Sequence, residues 1–169
     1  MHGNTFLSPH FSLLEMTESQ TARKHGIENV PKPKEVENLK RLCKNVLEPL
    51  REAMQLPVVI TSGYRCKRLN ELLVHAARKS QHMVGCAADF YVGQGRVPSS
   101  RFQVPSHRDR LIMAFRHIIE QLDFDQLILY PTFIHVSFVS KDANRHYIMT
   151  ANGSGHYRRI SKETAHSFV

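Results

Sequence analysis

The chain has 169 residues, 41% of them hydrophobic, and a formal net charge of +8. This size and composition fit one compact domain and exclude a disordered chain. No apolar run reaches the roughly 18 residues that a membrane-spanning helix needs, so we expect no membrane span. The first residues lack the charged and apolar regions of a secretory signal peptide. We therefore expect synthesis in the cytoplasm, with release on lysis or by another export route if the target lies outside.

The basic residues are spread along the chain in short groups rather than concentrated in one block. A positive surface attracts anionic polymers, and nucleic acid and the bacterial cell wall are both of this kind. Spread charge is more typical of a solvated surface than of a nucleic-acid site. We therefore do not expect nucleic acid to be the partner.

Two helices are predicted in the first third of the chain. Ser12 and Glu15 have the spacing of a capping box, which predicts a short helix that starts there. Residues 34–54 repeat apolar side chains at the helical period, which predicts a long amphipathic helix. Pro49 lies inside this pattern and is expected to kink or divide the helix, because it has no backbone N–H to donate.

Short strands and helices alternate in the rest of the chain. Runs of β-branched or apolar residues predict strands at residues 57–62, 86–92, 124–130 and 133–139. Apolar residues at helical spacing predict helices at residues 67–77 and 107–122. Glycine, serine and proline between residues 93 and 105 predict a loop.

This order of elements predicts an α+β fold with a small, mostly antiparallel sheet flanked by helices. There is no glycine-rich phosphate loop and no regular series of parallel βαβ units. We assign residues 1–150 to the domain and expect residues 151–169 to form a loosely ordered C-terminal tail.

One segment, residues 80–89, places a histidine and an aspartate on either side of a glycine. Gly85 permits a sharp turn or a close backbone approach between His82 and Asp89. If Asp89 lies on a strand, its carboxylate projects from the face opposite to Phe90. A carboxylate on a short apolar strand is costly unless it is paired or bound to a metal.

A second histidine lies on the last predicted strand. The two-residue period puts Ile134 and Val136 on one face and His135 on the other. Two imidazoles and one carboxylate form a three-ligand zinc set that leaves a fourth position for water. By spacing alone, other interpretations stay open. His135 could be structural, and His82 with Asp89 could be a hydrogen-bonded pair without a metal.

Residues 80–89 resemble the S-x-H-x-x-G-x-A-x-D signature of the zinc D-Ala-D-Ala carboxypeptidases and the related phage L-alanyl-D-glutamate endopeptidases. Three more segments resemble the S-G-Y-R, F-D-Q-L-I and W-I-H-V-S elements of that family: residues 62–65, 124–128 and 134–138. The opening residues 7–11 and 19–22 resemble the start of its phage and prophage branch. The resemblance covers about residues 6–139 in the correct order.

The resemblance implies the hedgehog/DD-peptidase fold, one zinc ion, and cleavage of peptidoglycan stem peptides. It implies that His82, Asp89 and His135 are the metal ligands. It also implies that Arg65 holds the substrate near the reacting carbonyl, since a guanidinium pairs with carboxylates and can stabilise an oxyanion. Without the resemblance, Arg65 would be interpreted as an ordinary surface arginine after a strand. Ser80 is expected to bind substrate or orient a ligand, with a cap or turn role as the alternative.

The sequence departs from this family at the general base. The family usually has an acidic residue shortly before the last histidine, but residues 129–135 contain no Asp or Glu. Asp125 is the nearest acidic residue upstream and is therefore the candidate base, with a structural role at the start of a strand as the alternative. Tyr130 could stabilise an oxyanion but is a poor base at neutral pH. Loss of the base would lower turnover roughly 100- to 10,000-fold.

We therefore predict a zinc metallopeptidase, of phage or prophage type, that acts on stem peptides as a carboxypeptidase or an endopeptidase. One alternative is a catalytically silent zinc-containing module that binds peptidoglycan, which the missing acidic base supports. Another is a basic nucleic-acid-binding domain, which only the net charge supports.

Overall fold

The computed structural model describes residues 5–74, 76–95, 105–152 and 154–167. The helices are α1 (Leu13–Thr17), α2 (Gln20–Lys24), α3 (Pro33–Leu42), α4 (Glu48–Met54), α5 (Lys67–Leu72), α6 (His107–Gln121) and α7 (Lys162–His166). The strands are β1 (Phe6–Ser8), β2 (Phe11–Ser12), β3 (Val58–Ser62), β4 (Ala87–Val92), β5 (Gln126–Leu129), β6 (Ile134–Ser137), β7 (Tyr147–Ala151) and β8 (Tyr157–Arg159). None of these helices is long and apolar enough to span a membrane.

The main sheet has six strands in the order β3-β4-β6-β5-β7-β8. Neighbouring strands are antiparallel except β5 and β7, which run parallel. Strands β1 and β2 form a separate antiparallel pair. The expected α+β fold with a mostly antiparallel sheet is confirmed, although the sheet extends beyond the four predicted strands.

Alternation along β4 and β6 separates the core from the opposite face of the sheet. Phe90 on β4 and Val136 on β6 are fully buried in the main apolar core, where α6 contributes Phe115. Each such side chain stabilises the fold by about 1.5–3 kcal/mol through burial. Asp89 and His135 occupy the intervening positions, so their side chains project from the other face.

The predicted helix at residues 34–54 is divided, as expected, but the irregularity begins before Pro49. Helix α3 ends at Leu42, residues Cys43–Leu47 form a π-helical segment, and α4 follows. Pro49 cannot donate a hydrogen bond to the carbonyl four residues earlier, and the preceding turn widens instead. Leu47 and Leu50 nevertheless stay fully buried, so the apolar stripe still faces the core.

The described part of the C-terminal segment carries secondary structure where we expected loose order. Strand β7 runs across residue 150 to Ala151, β8 pairs with β7, and Ala165 of α7 is fully buried. All three residues of β8 are exposed, so no apolar alternation marks this strand in the sequence. Backbone hydrogen bonds to β7 define it instead. The boundary at residue 150 stays a prediction.

Two other predictions differ from the structure at their ends. The helix predicted at residues 67–77 ends at Leu72, because the backbone of Leu73 is extended. The loop predicted at residues 93–105 falls largely on residues 96–104, which lie outside the described residues.

Candidate metal centre

The side chains of His82, Asp89 and His135 converge at one point beside the sheet. His82 lies on a 3₁₀ helix, Gln81–Val84, whereas Asp89 and His135 are directly opposite each other on β4 and β6. Each residue offers one ligand atom, and these atoms all lie within 4.8 Å of one another. The structure thus brings together all three residues that the sequence predicted as ligands.

The three ligand atoms form a small triangle. His82 Nε2 lies 3.2 Å from both Asp89 Oδ1 and His135 Nδ1. His135 Nδ1 lies 2.8 Å from Asp89 Oδ1. Ligands that bind a tetrahedral zinc ion at about 2.0–2.2 Å are roughly 3.3–3.6 Å apart, so this triangle is close to, and slightly smaller than, the one that surrounds a zinc ion. The other nitrogen of each ring and the other carboxylate oxygen remain for orienting contacts.

A backbone carbonyl fixes the orientation of the His82 ring. His82 Nδ1 lies 2.6 Å from the carbonyl oxygen of Gly63, at the end of β3. The Nδ1–H therefore donates to this carbonyl, which leaves the lone pair of Nε2 directed at the other two ligands. Such a contact sets the tautomer of a metal-binding histidine and holds its ring in place.

Two glycines allow the backbone to pass close to its neighbours around this centre. A Cβ atom at Gly63 would lie 2.3 Å from the carbonyl oxygen of Met16. Gly85 has a φ of +72°, and a Cβ atom there would lie 2.4 Å from the carbonyl oxygen of Glu35. The predicted turn and close approach at Gly85 are therefore both present, and they carry the chain from His82 to β4.

The local environment sets the charge state of the ligand atoms. Burial lowers the pKa of His82, which favours the neutral imidazole, the form that binds zinc. Burial alone would raise the pKa of Asp89, but the adjacent imidazoles of His82 and His135 outweigh this effect and lower it well below its usual value. The set is thus two imidazole nitrogens and one ionised carboxylate, a combination found in catalytic zinc sites.

Arg65 is tied to the metal centre through Asp89. Its Nη2 donates to Asp89 Oδ2 at 2.6 Å, and its Nε donates to Ser62 Oγ at 2.8 Å. Its backbone N–H donates to the carbonyl of His82 at 3.2 Å. Arg65 therefore orients one predicted ligand and supports the loop that carries another, in addition to facing the cavity described next.

A cavity of about 830 Å³ opens over the three predicted ligands. This volume lies within the usual range of small-molecule and peptide sites. Its walls carry cationic and aromatic side chains: Arg65, Lys79, Arg145, Tyr130, Phe133 and Tyr157. A second cavity of about 590 Å³ shares Arg65 and Leu73 with the first, so the two meet at these residues.

A family model described as Peptidase M15 matches residues 9–104, which is more than half of the chain. The chain belongs to the peptidase M15 family. Peptidases of this family are zinc-dependent, and their substrates are related to peptidoglycan. No curated protein matches the chain. The matched residues include His82 and Asp89, while His135 lies beyond them on β6.

Ser80 lies at the start of the 3₁₀ helix that carries His82. Its hydroxyl accepts a hydrogen bond from the backbone N–H of His82 at 3.3 Å, and the residue also lines the cavity. The geometry is therefore compatible with both roles considered for it, a cap that orients His82 and a contact to substrate.

Asp125 directly precedes β5, and only 1% of its surface is exposed. Its Oδ1 accepts from the Arg145 backbone N–H at 3.0 Å and from Nε at 2.8 Å. Its Oδ2 accepts from Arg145 Nη2 at 2.5 Å, Gln81 Nε2 at 2.8 Å and Ser137 Oγ at 3.3 Å. Burial opposes ionisation of Asp125, but the bonds from Arg145 and Gln81 outweigh it and lower the pKa to about 2.

The carboxylate of Asp125 already accepts hydrogen bonds from Arg145, Gln81 and Ser137. With so low a pKa it is a weak base at neutral pH, because a general base works best with a pKa near the working pH. The geometry therefore favours the structural alternative for Asp125. Asp125 accepts a hydrogen bond from Gln81, the residue that precedes His82, and so holds this part of the chain in place. Asp125 thus connects the start of β5 to the loop of the metal centre.

The residues of the cavity that were not predicted from the sequence include Arg145 and Tyr157. Arg145 precedes β7 and belongs to none of the motifs, and Tyr157 lies on β8, in the segment that we expected to be loosely ordered. Only the pairing of β7 with β5 and of β8 with β7 brings these side chains to the cavity.

Proposed function

We propose that this protein is a zinc peptidase that hydrolyses a peptide bond in peptidoglycan stem peptides. The observation that carries this proposal is the triangle of ligand atoms, 2.8–3.2 Å on a side, beneath a cavity large enough for a peptide. Membership of the M15 family supports the reaction type. His82, Asp89 and His135 would hold the metal.

Zinc bound there would polarise the scissile carbonyl and lower the pKa of an attacking water. The protein's own residues supply orientation and charge. The Gly63 carbonyl holds the ring of His82, and Arg65 holds the carboxylate of Asp89. Arg65 also faces the cavity, where its guanidinium can bind a carboxylate or a carbonyl oxygen of the substrate.

The charge of the cavity suits an acidic peptide. Arg65, Lys79 and Arg145 line it, and among the described lining residues Asp89 is the sole acidic side chain. Stem peptides carry free carboxylates, so these cations favour their binding over that of basic peptides. Ser80 offers a hydroxyl on the same wall. Cleavage of the terminal D-Ala-D-Ala bond and cleavage of the L-Ala-D-Glu bond are both compatible with this arrangement.

The test is digestion of purified peptidoglycan by the zinc-loaded protein, with the released peptides identified by mass spectrometry. We expect fragments that disappear with His82→Ala and persist with His25→Ala, because His25 is exposed at the end of α2. The mass of the fragments identifies the bond. Fragments that persist with His82→Ala would contradict the proposal.

One observation favours a second candidate, a zinc-containing module that binds stem peptides without cleaving them. Within the described part of the chain, no carboxylate other than that of the candidate ligand Asp89 lines the cavity. The carboxylate of Asp125 accepts hydrogen bonds from Arg145. A protein with stoichiometric zinc that binds muropeptides and releases no product would support this candidate.

A further inference from the structure

Two tyrosines form one wall of the cavity over the metal centre. Tyr130 follows β5 and Tyr157 begins β8, and both line this cavity. Their hydroxyl oxygens are 3.1 Å apart, and their rings are nearly perpendicular. Phe133 stacks on the ring of Tyr130 with centroids 4.2 Å apart and an interplanar angle of 13°. The ring of Tyr130 is therefore held between two aromatic neighbours.

The tyrosine pair has one proton to offer a third group. Each hydroxyl carries a single O–H and can also accept. The hydrogen bond between the two oxygens uses one of the two protons, and the other is left for a group in the cavity. Tyr157 is the more accessible partner, with 49% of its surface exposed. Tyr130 is half-buried, closer to the interior.

Burial raises the pKa of the Tyr130 hydroxyl, and its hydrogen bond with Tyr157 acts in the same direction. The negative charge of Asp89 also raises this pKa, while the positive charge of Arg65 opposes it. Tyr130 therefore stays protonated at neutral pH and can serve as a hydrogen-bond donor. A donor in the cavity that opens over the metal centre is most effective where negative charge develops on the substrate.

We propose that the Tyr130 hydroxyl donates a hydrogen bond to the substrate oxygen that gains negative charge during hydrolysis, and that Tyr157 orients it. In this arrangement Tyr157 donates to the oxygen of Tyr130, which directs the Tyr130 proton into the cavity. The proton stays on Tyr130 throughout, so no covalent step involves either tyrosine. This assignment rests on the proposed peptidase function, and it makes Tyr130 a catalytic residue and Tyr157 a positioning residue.

The test uses Tyr130→Phe, which removes the hydroxyl and keeps the ring stacked on Phe133. The probe is a phosphinate pseudopeptide, in which a tetrahedral anionic group replaces the scissile amide, and its affinity for the zinc-loaded protein is measured by calorimetry. We expect the affinity to fall at least about tenfold, because donors of this kind contribute mainly to charged, transition-state-like oxygens. Affinity for the amine half of the cleaved peptide should change by less than about twofold, since that half does not contain the reacting carbonyl oxygen.

Kinetics supply the second readout. With stem peptide as substrate, Tyr130→Phe should lower kcat about 10- to 100-fold and leave KM nearly unchanged, the pattern of an interaction made only in the transition state. The matched control is Tyr91→Phe, which makes the same chemical change on β4, where Tyr91 contacts His107. Zinc content should be equal in the wild type and in both variants.

The role of Tyr157 is tested by a double-mutant cycle. If Tyr157 acts through Tyr130, then Tyr157→Phe weakens phosphinate binding, but the double variant binds no more weakly than Tyr130→Phe alone. Additive losses would overturn the orienting role of Tyr157. Equal phosphinate affinity of the wild type and Tyr130→Phe would overturn the assignment of Tyr130 while cleavage by the wild type left the proposed function intact. A zinc-loaded wild type that neither cleaves stem peptide nor binds the phosphinate would overturn both.

Discussion

Asp89 and His135 lie directly opposite each other on β4 and β6, with 2.8 Å between Asp89 Oδ1 and His135 Nδ1. Cross-strand neighbours in an antiparallel sheet are held by the backbone ladder, so the separation of these two side chains is set before any metal arrives. His82 reaches the same point from a separate loop and meets both residues at 3.2 Å. The sheet thus provides a rigid pair of candidate ligands, and the 3₁₀ helix that carries His82 provides the third.

Replacing a ligand on the sheet should abolish stoichiometric zinc binding without unfolding the protein. His135→Ala removes one of three protein ligands, and we expect zinc to be lost on dialysis against a weak chelator, because a three-ligand site depends on each ligand. Metal content by elemental analysis and far-ultraviolet circular dichroism are the measurements. His25→Ala, at an exposed position, is the control and should keep its zinc. Full zinc content in His135→Ala would contradict the predicted ligand set.

Arg65→Lys should separate catalysis from metal binding. Lysine keeps the positive charge but cannot bridge Ser62 and Asp89 as the guanidinium does. We expect kcat/KM on stem peptide to fall at least about tenfold while zinc content stays stoichiometric. Arg158→Lys, on the exposed strand β8, is the matched control. Loss of zinc in Arg65→Lys equal to that in His135→Ala would instead assign Arg65 a purely structural role.

The turn between His82 and Asp89 should not tolerate a side chain. Gly85→Ala places a Cβ atom 2.4 Å from the carbonyl of Glu35, in addition to the strain of a φ of +72°. Gly26→Ala provides the control, because Gly26 has a φ of +59° and nothing within 4 Å of the added atom. We expect Gly26→Ala to lower the free energy of unfolding by about 1 kcal/mol and Gly85→Ala to lower it by clearly more.

Denaturant titrations of both glycine variants would measure this difference. If the two variants lose the same stability, the contact with Glu35 relaxes without cost and the tight approach is not required. Zinc content of Gly85→Ala should also fall, because the turn sets the position of His82 relative to β4.

Stability should fall at low pH through Asp125. Its pKa is about 2 in the folded protein, below the value of 3.8 for an unperturbed aspartate. A lowered pKa stabilises the fold fully above the unperturbed value, and the stabilisation is lost as pH falls from there through the folded value. The effect is roughly 2 kcal/mol, somewhat less where solvent reaches the half-exposed Arg145 partner.

The measurement is the free energy of unfolding of chelator-treated protein between neutral pH and acid, for the wild type and Asp125→Asn. The variant should be less stable at neutral pH, and the difference should shrink as the wild-type carboxylate is protonated. Asp142→Asn, at an exposed position, should follow the wild type across the whole range. A difference that is independent of pH would show that the charge of Asp125 is not what stabilises the fold.

The sequence alone determined the parts of this protein that depend on local pattern. The alternation of side chains along the strands predicted that Asp89 and His135 lie on the face of the sheet opposite to Phe90 and Val136. The capping pair Ser12 and Glu15 predicted the start of α1, where Ser12 Oγ accepts from the Glu15 backbone N–H at 3.1 Å. The candidate ligands at residues 80–89 were predicted from their residue types and from the resemblance to a zinc-peptidase signature, since spacing alone left other interpretations open.

The tertiary structure decided what depends on contacts between distant segments. Asp125 was a candidate base in the sequence, but Arg145, 20 positions later, occupies its carboxylate and lowers its pKa. Tyr157 enters the cavity because β8 pairs with β7, and an exposed edge strand held by backbone hydrogen bonds leaves no apolar pattern to detect. Local spacing determines which residues share a face of a helix or strand. The packing of the whole chain determines which residue neutralises a buried charge and which side chains line the cavity.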